Sequence, residues 1–98
     1  MTLKKLSTKK KVYSHVLSES QIQTNLIKRL RRDNPYAYIV KLSDKWVSGL
    51  PDVLMIDGGT AYFYEVKSDR GVVSRIQKVV HKELRRAGAY VEIWRGGE

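Results

Sequence analysis

Apolar residues recur along this chain with two different periods, and the changes between them mark out the elements. From Glu19 to Arg32 the spacing is helical, with Ile22, Leu26, Ile27 and Leu30 on one face. Ser18 followed three places later by Gln21 is a capping box, in which the two side chains satisfy the first free amides of a helix. Asp33-Asn34-Pro35 stops it, because the residue before a proline disfavours helix. Tyr36 to Leu42 (YAYIVKL) is rich in aromatic and β-branched residues and reads as a strand. Ser43 to Leu50 is a loop carrying Lys45 and Trp46. Asp52 to Ile56 and Ala61 to Lys67 are two further strands, joined into a hairpin by the tight-turn signal Asp57-Gly58-Gly59-Thr60. Ser74 and Gln77 repeat the capping-box spacing, and Ile76, Val79, Val80, Leu84 and Ala87 make the apolar stripe of a second helix ending at Gly88. Ala89 to Trp94 is the last strand.

The order helix, three strands, helix, strand predicts an α/β fold with a mixed central sheet flanked by helices. The closing strand–helix–strand unit predicts a right-handed crossover between parallel strands.

With 98 residues the chain holds one small domain, expected over 18–98, preceded by a basic arm over 1–17. The hydrophobic share of 42% excludes a disordered tail. No stretch approaches the roughly 20 apolar residues of a membrane span. The absence of cysteine removes disulfides, thiolate zinc sites and cysteine nucleophiles. A domain so small and unstapled suits a reducing cytosol, a cytoplasmic setting, and invites a partner subunit.

A net charge of +9 points to polyanions, nucleic acid first and an anionic membrane surface second. The arm bears Lys4, Lys5, Lys9, Lys10 and Lys11, with no apolar segment after them that would make a secretory signal. It reads as a solvated tail or as a phosphate-contacting arm, and the alternation of Val12, Ser14 and Val16 also allows a short edge strand. Lys9, Lys10, Lys11, Lys45, Arg70 and Arg75 are the candidate nucleic-acid contacts.

The hairpin carries the chemistry. Side chains alternate along a strand, so Glu65 and Lys67 share a face and Val66 points to the other. If Gly58-Gly59 is a two-residue loop, Asp57 pairs with Thr60 and Asp52 falls opposite Glu65, with Cβ atoms roughly 4.5–5.5 Å apart. Two carboxylates so placed repel unless a cation holds them. Lys67 is one candidate; a divalent ion with a taste for oxygen ligands is the better one. Glu19 and Gln77, in the first turns of the two helices, are each set to point toward one end of the sheet.

Each residue also has a plain structural role open to it. Glu19 suits the positive end of a helix dipole, Gln77 completes a capping box, Asp52 follows a proline in a turn, and Glu65 with Lys67 makes a strand-face ion pair. A metal site accounts for all of them together. His15 and His81 lie in separate elements without a triad order and read as surface histidines. Trp46 suits base stacking and loop anchoring about equally.

Gly49-Leu50-Pro51-Asp52, Glu65-Val66-Lys67, Ser74 and Gln77 together resemble the signature of PD-(D/E)xK nucleases. More narrowly the chain resembles the VRR-NUC family, in its short stand-alone phage and bacterial form, from Glu19 to about Trp94. The resemblance implies a restriction-endonuclease-like core and an Mg²⁺- or Mn²⁺-dependent DNA endonuclease. By that resemblance Asp52 and Glu65 bind the metal with the Val66 backbone carbonyl. Lys67 serves the attacking water and the phosphate charge, Glu19 acts on the metal directly or through water, and Gln77 supports the lysine and the site. It also implies a homodimer acting on branched DNA such as four-way junctions, or on duplex; the thin core of so small a domain points the same way, with Val72, Val73, Val91 and Ile93 as candidates for a surface that a twin would bury. The competing readings are a non-catalytic nucleic-acid-binding protein and a nuclease component of a restriction or toxin system.

Overall fold

The computed structural model describes residues 17–42 and 47–96. Six elements follow one another: α1 (Glu19–Asp33), β1 (Tyr38–Lys41), β2 (Val53–Asp57), β3 (Thr60–Val66), α2 (Arg75–Arg86) and β4 (Tyr90–Trp94). The fold is α/β, with one four-stranded sheet in the order β1-β2-β3-β4. β1, β2 and β3 are antiparallel neighbours, and β3 pairs with β4 in parallel, as the closing strand–helix–strand unit requires.

Local signals set these elements. Both capping boxes form, Ser18 with Gln21 and Ser74 with Gln77, each with reciprocal side-chain-to-backbone bonds. The hairpin turn has positive φ at both Gly58 and Gly59, and it sets Asp57 opposite Thr60. β1 begins two residues later than the aromatic pattern suggests. Pro35 opens a turn closed by the Ala37 amide on the Asn34 carbonyl at 3.1 Å, which leaves Tyr36 outside the sheet.

The core lies on one face of the sheet. Ile22, Leu26 and Leu30 of α1 pack on Val53, Met55, Tyr64 and Val66, with Trp94 at the margin beneath the Arg29 guanidinium. Strand alternation then turns Asp52, Leu54, Phe63 and Glu65 to the opposite face, where α2 lies. α2 buries only part of its apolar stripe there, with Val80 and Leu84 half-buried. Ile76 and Val79 are 48% and 46% exposed, and the only fully buried residue of the helix is His81. The expectation of a surface histidine at position 81 is therefore wrong.

Partner chemistry accounts for that rotation. A buried carboxylate without hydrogen-bond partners costs several kcal/mol, whereas leaving a valine half exposed forfeits only about 1 kcal/mol. α2 accordingly shows the sheet its polar edge, Gln77 and His81, which meet Glu65. Gly49 lets the chain pass close by: it has φ +84°, and a Cβ there would stand 2.8 Å from the Ile76 carbonyl oxygen and from Val80 Cγ2.

Candidate active site

Glu65 is the centre of the site, buried to 2% exposure near the end of β3. Each of its oxygens is engaged. Oε1 lies 2.9 Å from His81 Nε2, and Oε2 accepts from Gln77 Nε2 at 3.2 Å. Lys67 Nζ stands 3.9 Å from Oε2, with only 12% of its side chain open to solvent. Gln77 thus fills two roles: its Oε1 accepts from the Ser74 amide in the capping box, while its Nε2 holds Glu65.

Asp52 immediately precedes β2, one register step beyond the Val53–Tyr64 pair, which brings it against Glu65. Its amide donates to the Tyr64 carbonyl at 3.0 Å, and its Oδ2 accepts from the Val66 amide at 2.8 Å. The β3 backbone thus holds one carboxylate beside the other. Burial first, and then the neighbouring Asp52 charge and a hydrogen bond with that carboxyl, push Glu65 up to about 8 from an ordinary 4.5. Lys67 opposes that shift and Glu19 adds to it. His81 is held below its usual range by burial, then by the charges of Arg85 and Lys67.

Glu19 stands at the rim. Its Oε2 accepts from the Ser68 amide at 3.2 Å, just past the end of β3. Gly71 closes this turn with its amide on the Ser68 carbonyl, and a Cβ at Gly71 would meet Glu19 Oε2 at 3.0 Å and Lys67 Cδ at 3.3 Å. Arg95 clamps the same turn from the far side, its Nη1 donating to the carbonyls of Ser68 and Gly71 at 2.8 Å each.

Asp52, Glu65, Lys67 and Gln77 are thus brought together, with Glu19 at their edge. The sequence read His81 as a surface residue and marked neither Gly71 nor Arg95 for the site. For His81 a signal existed: it follows Gln77 by four residues and so shares its helix edge. Nothing local could have marked Arg95, whose partners lie 24 and 27 residues away.

Arg70 and Arg75 are exposed on the loop and helix start that follow β3. Lys9, Lys10, Lys11, Lys45, His15 and Trp46 lie outside the described residues. Val72 is 79% exposed and Ile93 38%, with Val73 and Val91 partly covered.

Among the described residues no group of three or more His, Cys, Asp and Glu side chains is arranged to hold a metal ion. Two facing carboxylates, with Glu19 at the rim, are what the side chains offer. That donor set fits Mg²⁺ or Mn²⁺, hard ions that take one or two carboxylates and fill the remaining positions with carbonyl, water and phosphate oxygen. The raised affinity of Glu65 for a proton is in keeping with this, since a second positive charge is what the pair lacks. No helix among the described residues is long and apolar enough to cross a membrane.

Comparison of the chain with protein-family models, with curated proteins and with solved structures finds no match.

Proposed function

We propose that this protein is a metal-dependent endonuclease of the restriction-endonuclease-like fold, similar to the short stand-alone VRR-NUC nucleases, and that its substrate is DNA. One observation carries the reading. Asp52 and Glu65 are pressed together beside a sheltered lysine, Lys67, at the strand end where both helices begin. Two adjoining carboxylates repel one another, an arrangement that packing alone does not favour. A site that holds a divalent ion against phosphate accounts for it.

Asp52, Glu65 and the Val66 carbonyl would hold Mg²⁺ or Mn²⁺. When bound, such an ion polarises the phosphate and acidifies the attacking water. Lys67 places a fixed positive charge where negative charge grows on the phosphate in the transition state. Gln77 keeps Glu65 in place, and no covalent nucleophile is required. Arg70 and Arg75 flank the site and lead the DNA backbone toward it, with Lys9, Lys10, Lys11 and Lys45 as further contacts. A homodimer would place two such sites on a branched substrate.

The test is incubation of the purified protein with labelled duplex, flap and four-way-junction DNA, with and without Mg²⁺ or Mn²⁺, beside the Asp52→Ala and Glu65→Ala variants. Cleavage that needs the metal and both carboxylates is expected. Tight DNA binding without cleavage under any condition would instead favour the non-catalytic nucleic-acid-binding reading.

A further inference from the structure

We infer that His81 is a positioning residue for the metal-binding carboxylate Glu65, an inference that rests on the nuclease reading above. His81 is 2% exposed, as buried as Glu65 itself, and it is the only residue of α2 that is fully sealed. Its helix has four apolar residues with which to meet the sheet, yet the residue it seals completely is a histidine. Nε2 lies 2.9 Å from Oε1, and Gln77, one helical turn earlier, donates to Oε2 at 3.2 Å. The two side chains hold the two carboxylate oxygens from one rigid helix, and together they fix the plane of the carboxylate.

A carboxylate anchored at one oxygen alone still rotates about its last bond; one anchored at both does not. Orientation matters here because Glu65 must meet a cation jointly with Asp52, which the Val66 amide already fixes at 2.8 Å. Partners that orient a ligand from behind typically account for about 10–100-fold in metal affinity or activity. His81 is sealed from solvent and bonds to Glu65, so its effect passes through that carboxyl group.

The test compares His81→Gln with His81→Met. Glutamine carries an amide, able to donate or accept, to about the position of Nε2; methionine fills similar volume and offers no hydrogen-bonding nitrogen or oxygen. Mn²⁺ affinity is measured by calorimetry, and kcat and KM on a junction substrate. His81→Met is expected to lose about 10–100-fold in Mn²⁺ affinity and in kcat, with KM for DNA unchanged. His81→Gln is expected to recover most of both. If methionine at 81 prevents folding, His81→Asn replaces it, since its amide is too short to reach Glu65 Oε1. Wild-type Mn²⁺ affinity and kcat in the donor-less variant, or equal losses in both variants, would overturn the inference and leave the nuclease reading standing. A wild-type protein that neither binds Mn²⁺ nor cuts DNA would overturn both.

Discussion

Asp52 takes its hydrogen bond from the amide of Val66, the residue next to the carboxylate it faces, at 2.8 Å. The strand that carries Glu65 thus also tethers its rival charge. Repulsion between the two cannot relax by Asp52 swinging away, because that would leave the Val66 amide without its acceptor. The strain is relieved by a proton on Glu65 or by a cation between the carboxylates.

That relation gives stability a pH dependence of definite sign. Glu65 binds its proton more tightly folded, at about 8, than unfolded, at 4.5. Its contribution is full below 4.5 and is lost as pH rises through about 8. His81, with its lowered value, acts in the opposite sense and only as pH falls through its ordinary 6.5. Without divalent ions the melting temperature should therefore fall as pH rises from about 6.5 to about 8, and Glu65→Gln should flatten that fall. Mg²⁺ should raise the melting temperature more at the alkaline end. A cation effect independent of pH would argue against a site at Glu65.

Lys67→Ala separates turnover from metal binding. Lys67 is not a proposed ligand, so calorimetry should still detect Mn²⁺ at the site. Removing a charge aimed at the transition state should lower kcat by about 10²–10³-fold. Loss of Mn²⁺ binding in this variant would count against the assigned role.

Gly49→Ala should destabilise the fold out of proportion to one methyl group. The left-handed conformation alone costs about 1–2 kcal/mol, and the new Cβ would stand 2.8 Å from the α2 backbone. A urea midpoint well below wild type is expected, with a loss of cleavage because α2 carries Gln77. Gly58→Ala meets nothing within 4 Å and should cost only the backbone term.

DNA affinity should fall steeply with salt, with a slope of about −0.9 for each phosphate contacted on duplex. Removing residues 2–11 should flatten that slope if the basic arm touches DNA. An unchanged slope would make the arm a solvated tail.

Light scattering at micromolar concentration should give twice the monomer mass, and a fixed four-way junction should be cut in preference to linear duplex. A monomer cutting both equally would refute the dimer while leaving the nuclease reading intact.

What the sequence determined by itself was local. Two capping boxes, a Gly-Gly turn, a proline stop and two periodicities specify six elements in order, because each rests on bonds between residues a few positions apart. The hairpin register followed from the turn, and with it the opposition of Asp52 and Glu65, since pairing propagates from a two-residue loop without further choice. Tertiary structure decided which edge of α2 meets the sheet. Periodicity favoured the stripe through Ile76 and Val79, but a helix can turn about its axis at little local cost. The buried carboxyl of Glu65 set that turn by demanding two hydrogen-bond partners, and so drew in His81 beside the half-buried Val80 and Leu84, leaving Ile76 and Val79 exposed. Arg95 belongs with His81 in this respect: its grip on the Ser68–Gly71 turn joins β4 to the end of β3, and no periodicity within either segment encodes it.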